Sequence, residues 1–231
     1  MIGNRLFGLV KNHAAALLGG LTIALFLAAL FLAFVVSPID EAMGPIQKIF
    51  YLHVPSAYGM YLGAVTAAAA SLWYLLGRSE TADAVASAAV DAGIAFFVVV
   101  MVTGPIWARQ AWGVFWTWEP RLTTTFILGL VFVLYRAVRR AGGNGRGERR
   151  FAAVLAILGA INVPLVHYAL VLWRGQHPQV LYGRGGGLAP VMLLTLGAWI
   201  GAMTSLFGLL LLLQYRLKRP AGVRGSPEAG S

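Results

Sequence analysis

A-A-A-L-L-G-G-L-T-I-A-L-F-L-A-A-L-F-L-A-F-V-V, residues 14–36, is an unbroken run of 23 uncharged residues. At about 1.5 Å of rise per residue it reaches about 34 Å as a helix, enough to cross roughly 30 Å of hydrocarbon. A signal-peptide core is shorter and ends at a small-residue cleavage site, so the run reads as a retained first span.

The same pattern recurs along the chain. Residues 56–77 form a second uncharged run, which Pro55 is placed to open, since proline fits a first helical turn. The third, 84–106, is apolar apart from Asp91, which is expected to snorkel or to pair with Arg78. The fourth is short: 14 uncharged residues separate Arg121 from Arg136. Extending it to Val138 and letting Arg136 snorkel makes it long enough. Residues 151–173 are the fifth run, with Asn162, Pro164 and His167 inside it, and 188–215 the sixth.

The expected fold is all-α: a polytopic membrane helical bundle of six transmembrane helices. Its boundaries are a single membrane domain over 1–218, with an external tryptophan-rich loop at 107–122, and a polar, disordered tail over 219–231. Composition agrees, because 59% of residues are hydrophobic and only 11% charged, against about 25% in soluble domains. A barrel is disfavoured by runs that never alternate with period two. The 139–150 segment, rich in glycine and arginine, reads as a mobile linker.

Charge placement sets the orientation. With six spans, 13 of the 18 Lys and Arg residues fall on the side of both termini, which the positive-inside rule puts in the cytoplasm. The formal charge of +10 is thereby explained without nucleic acid. There is no cysteine, which excludes thiolate metal sites and thioether-linked haem.

Span parity leaves one unusual stretch outside: Trp107–Thr125, W-A-R-Q-A-W-G-V-F-W-T-W-E-P-R-L-T-T-T. Four of the seven tryptophans lie in it. Read as helix, Trp112, Phe115, Trp116 and Glu119 share one face, and Pro120 then ends the element at Glu119. Interfacial anchoring accounts for one or two tryptophans per loop; four suggest a platform for a large planar ligand. His53, before span two, and His177, between spans five and six, fall on the same external side. Two imidazoles flanking such a platform suit the axial positions of a haem iron, with Arg109, Arg121 and Arg184 available to propionates. Each histidine taken singly is more often only a polar interfacial anchor, and it is the joint placement with the tryptophan stretch that favours ligation. His167 lies within span five, where a hydrogen bond to a neighbouring helix accounts for it as well as ligation does. No nucleotide-binding loop or hydrolytic constellation is present, so the expectation is a protein that is not an enzyme.

The segment W-G-V-F-W-T-W-E-P-R-L-T, Trp112–Thr123, resembles the "WWD" signature of haem-handling membrane proteins. With Tyr51-Leu52-His53-Val54-Pro55 upstream, and Asn162 to Tyr168 and Trp173 to His177 downstream, it is similar to the CcmC family of cytochrome c maturation proteins. The signature carries aspartate where this chain has Glu119, whose carboxylate reaches one methylene further. The resemblance implies noncovalent, transient b-type haem held at the periplasmic face of the bacterial inner membrane. His53 and His177 map onto the axial ligands, and Trp112, Gly113, Trp116, Trp118, Glu119 and Arg121 onto the platform. It also implies delivery to the haem chaperone CcmE, and association with CcmD and the ABC transporter subunits CcmA and CcmB. The competing readings are a b-type haem electron-transfer subunit, a cytochrome c synthase, and the permease subunit of a haem or ABC transporter. An electron-transfer subunit would want a second histidine at membrane depth beside His167, and a synthase a longer chain.

Overall fold

A computed structural model of the chain describes residues 2–41, 43–142, 145–173 and 188–218. It contains six long helices: α1 (Ile2–Phe31), α2 (Ile49–Gly77), α3 (Glu80–Trp112), α4 (Pro120–Ala141), α5 (Arg146–Trp173) and α6 (Pro190–Lys218). All six include a stretch long and apolar enough to cross a membrane. The all-α, six-span expectation holds, and this is a multi-pass membrane protein. The short fourth span is a helix of 22 residues, about 33 Å long. The tail expected over 219–231 lies outside the described residues.

The chain divides into two compact units. The first takes in Met1–Gly59, Phe96–Thr117 and Gln176–Leu212. In it, α1 widens into a π-helical turn over Leu32–Val36, closed by the Ser37 N–H on the Leu32 carbonyl at 2.7 Å. The carbonyls left over at that end are taken by Lys48, whose Nζ donates to Ala33 O at 2.6 Å and Ser37 O at 3.1 Å. A cation at a helix C-terminus also meets the negative end of the macrodipole. Ser37 Oγ and the buried Tyr51 hydroxyl share a bond of 2.6 Å, which ties the end of α1 to the start of α2. Against α6, Thr22 Oγ1 spends its hydrogen on Leu18 O and accepts from Ser205 Oγ at 2.8 Å. Phe26 meets Trp199 edge-on at 5.7 Å.

The second unit takes in Met60–Ala95, Trp118–Gly175 and Leu213–Ser231. Glycines let its helices close up. A Cβ on Gly63 would stand 2.7 Å from Gly93 Cα, and one on Gly93 would strike the Phe132 ring at 2.8 Å. Small residues permit this backbone approach, the packing that serves best where lipid offers no hydrophobic drive between helices. Asn162 of α5 donates to the Thr124 carbonyl of α4 at 2.8 Å.

The same unit holds a charged cluster that corrects two expectations. Asp91 neither snorkels nor pairs with Arg78. Its carboxylate bridges Arg136 Nε, at 2.8 Å, and Lys218 Nζ. Arg136 is therefore committed to an ion pair, where snorkelling to the surface was expected. The second correction concerns 139–150, read as a mobile linker. Helix α4 continues to Ala141 and α5 begins at Arg146. Arg139 pairs with Asp83 at 2.8 Å, and Arg149 reaches Glu80 at 3.3 Å. Carboxylates in the first turn of α3 supply the partners, so those arginines extend helices. The turn before α3 is correspondingly short: Arg78, at φ 54°, ends α2, and Ser79 Oγ caps the Ala82 N–H at 3.2 Å.

Candidate functional site

His53 is a helical residue, although the sequence placed it before the start of the second span. A 3₁₀ turn at Pro45–Lys48 runs straight into α2, so Pro45 opens the helix and Pro55 lies inside it, in its second turn. The physical reason is that Pro45 satisfies the N-terminal preference ten residues earlier. The half-buried His53 ring points at the distal part of α3, where Nδ1 lies 2.9 Å from Thr103 Oγ1. Thr103 Oγ1 donates in turn to Val99 O at 2.7 Å. Gly104 makes room for the ring, since a Cβ there would come within 3.1 Å of His53 Cε1.

Helix α3 passes through Pro105 and carries Trp107, Arg109 and Trp112 before it stops. The two indoles meet edge-on at 5.5 Å. Gly113 ends the helix with φ 76°, its N–H on the Arg109 carbonyl at 3.1 Å, the pattern of a left-handed helix cap. This overturns the reading of Trp112, Phe115, Trp116 and Glu119 as one helical face. Residues 113–119 are not helical. The i, i+3, i+4 spacing is real, but only glycine enters the left-handed region without a Cβ penalty, and Gly113 stands where the helix would have continued. Arg109 folds over this turn, donating to Gly113 O and lying 5.7 Å from the Phe115 ring centre. Phe115 is 61% exposed, Trp116 half-buried.

In the second unit, Glu119 is extended (φ −65°, ψ 155°) and Pro120 takes the first position of α4, the arrangement that proline favours for its predecessor. Glu119 acts on the helix through its backbone: its carbonyl accepts the Thr123 N–H at 3.0 Å, with no side-chain cap bond. Trp118 is 74% exposed, with one edge toward Phe126 at 6.5 Å. Arg121 Nη2 donates to the His167 carbonyl at 3.1 Å. Arg121 Nε and Thr123 Oγ1 are buried polar atoms without a hydrogen-bond partner among the described residues.

Of the residues singled out in the sequence, His53, Trp112, Gly113 and Trp116 thus belong to the first unit, and Trp118, Glu119 and Arg121 to the second. His177 and Arg184 lie outside the described residues. His167 sits on α5 with an exposed side chain, edge-on to Tyr168 at 5.0 Å. Sequence reasoning passed over Thr103 and Gly104. A threonine in an apolar helix ordinarily signals only a bond to its own backbone, and this one makes that bond as well.

Within the first unit, His53 held through one ring nitrogen has the chemistry of a metal ligand, and the paired indoles of Trp107 and Trp112 that of a macrocycle face. Within the second, the donors at the start of α4 have the chemistry a carboxylate takes. A heme exporter protein C of Bradyrhizobium diazoefficiens is 37% identical over 175 residues, 75% of this chain and 64% of the relative. The protein of that name from Escherichia coli K12 is 32% identical over 142 residues, 61% of this chain and 58% of the relative. That from Rhodobacter capsulatus is 31% identical over 157 residues, 68% of this chain and 65% of the relative. The chain thus spans less than two thirds of the length of each of these relatives. The model of one family, described as heme exporter protein C (CcmC), matches residues 3–221, almost the whole chain. A match that runs through all six helices, the tryptophan-rich turn and both flanking histidines places this chain in the heme exporter protein C family.

Proposed function

We propose that this chain holds haem at the outer face of the bacterial inner membrane, with both termini cytoplasmic, and passes it to a periplasmic haem chaperone. His53 and His177 are the axial ligands. The platform consists of Trp112, Gly113, Trp116 and Trp118, with Glu119 and Arg121 at its polar end. Bonding is noncovalent and transient, as b-type haem in transit requires. The resemblance to the maturation proteins supplies the partners: CcmE as acceptor, CcmD, and the transporter subunits CcmA and CcmB.

The observation that best supports this reading is the environment of His53. Its ring is anchored by Nδ1 to Thr103, in the unit that also contains the tryptophan-bearing end of α3. An imidazole serving only as an interfacial anchor would gain nothing from a fixed orientation, whereas a metal ligand does. In the second unit, Arg121 Nε and Thr123 Oγ1, without a hydrogen-bond partner among the described residues, have the chemistry that a carboxylate takes. The physical logic is exchange rather than catalysis. A ligand set at the ends of helices releases its cargo more readily than one buried in a bundle core.

Absorption spectra of detergent-purified protein loaded with haem test the assignment. His53→Ala and His177→Ala are expected to change the iron ligand field, and His167→Ala to leave it alone. Unchanged spectra in both of the first two variants would remove the ligand assignment.

A further inference from the structure

The Thr103 hydroxyl has one hydrogen and two neighbours. Val99 O, 2.7 Å away, can only accept, so the hydrogen is directed there. Were it turned to His53, two oxygen lone pairs would face each other at that distance inside the protein. The lone pairs of Thr103 Oγ1 are therefore what His53 Nδ1 meets at 2.9 Å, and Nδ1 must carry the ring proton. Thr103 is 8% exposed, so water competes little for this bond.

We infer that Thr103 is a positioning residue that locks neutral His53 as its Nδ1–H tautomer and so presents Nε2 as the nitrogen that binds iron. Gly104 completes the device. The ring lies against the α3 backbone through Cε1, which would be 3.1 Å from a Cβ at Gly104, with Nδ1 at 3.7 Å and Nε2 the farthest of the three at 4.0 Å. The inference deepens the ligand reading of His53 and rests on it. Its chemistry is that of an outer-sphere partner: a hydrogen bond to the nitrogen away from the metal sets tautomer and ring plane, and raises the basicity of the other nitrogen.

The test uses the full chain in detergent, titrated with ferric haem, alongside ¹⁵N NMR of histidine-labelled protein without haem. Thr103→Val keeps the shape and removes the acceptor. It is expected to weaken haem binding about 10- to 100-fold, the usual cost of losing such a partner. It should also release His53 from the Nδ1–H tautomer in the haem-free spectrum. Thr103→Ser, which keeps the hydroxyl, is expected to restore both. The inference is overturned if wild-type His53 is the Nε2–H tautomer. It is overturned equally if Thr103→Val binds haem like wild type while His53→Ala does not, or if Thr103→Ser is as impaired as Thr103→Val. Undiminished binding by His53→Ala would instead remove the ligand reading beneath it, and the role of Thr103 in haem binding would go too.

Discussion

Arg121, the second residue of α4, donates through Nη2 to the backbone carbonyl of His167 at 3.1 Å. The bond uses the peptide at 167 rather than the ring, so it ties the opening of α4 to α5 whatever side chain occupies that position. It also separates the two residues functionally. His167→Ala should keep the tie and bind haem as wild type does. Arg121→Ala loses the tie together with the charge offered to a propionate. A hydrogen bond involving a charged group is worth about 1.5–3 kcal/mol, so the loss should be tenfold or more in haem affinity. Haem titration of the two variants decides it, and equal behaviour of the pair would count against the role given to Arg121.

Among the described residues, Asp91 is the carboxylate that pairs with both Arg136 and Lys218, and all three side chains are only 17–26% exposed. Asp91→Asn removes the negative charge that both cations share. For a fully buried pair such a loss costs about 3–5 kcal/mol; with this residual exposure on the order of 2 kcal/mol is expected. Removing one cation as well, in Asp91→Asn with Lys218→Met, should recover part of it, because the repulsion disappears with the charge. Thermal unfolding in detergent reads both. A double variant no more stable than the single one would mean that Lys218 is not part of the balance.

The six spans were legible because each is a long and largely uncharged apolar run, and the break at Glu119 because proline disfavours helix on the residue before it. Helix ends were less legible. Pro55 looked like an opener, yet Pro45 had already opened α2, and nothing local distinguishes the two. The aromatic spacing after Trp112 imitated a helical face, while the decision lay in the single glycine that follows it. The partners of Asp91 stand 45 and 127 positions away in the chain, and no local pattern reports a contact of that kind. Thr103 was invisible for a subtler reason: its bond to Val99 is what any helical threonine does, and only the arrival of His53 from another helix gives it a second meaning.

Glycines in this chain are not equivalent, which gives a paired test of helix packing. Gly63 faces Gly93 so closely that an added Cβ would lie 2.7 Å from backbone, which cannot move aside as a flexible side chain can. Gly63→Ala should therefore push α2 from α3 and cost about 1–3 kcal/mol, as overpacking does. Gly197, on α6, has open space around it: a Cβ added there would meet nothing within 4 Å. Gly197→Ala should be neutral or stabilising by up to about 1 kcal/mol through helix propensity. The order of the two melting temperatures is the readout, and a reversed order would contradict the close approach.

Gly113 was singled out with the haem platform, but it has no side chain to offer; its contribution is conformational. At φ 76° it turns the chain out of α3, and Trp116 follows from that turn. An L-residue with a Cβ pays roughly 1–2 kcal/mol to adopt this backbone, and asparagine pays less because its short polar side chain can bond locally. Space is not the obstacle, since an added Cβ at Gly113 would meet nothing within 4 Å. Gly113→Ala should thus lower haem affinity by letting α3 run on past Trp112 and swinging the Trp116 indole away, with little change in melting temperature. Gly113→Asn should retain more affinity than Gly113→Ala. The comparison is made by haem titration with thermal melts as control. If alanine and asparagine were equally tolerated, the left-handed turn would not be what aims the Trp116 indole, and the platform would have to be held by other contacts.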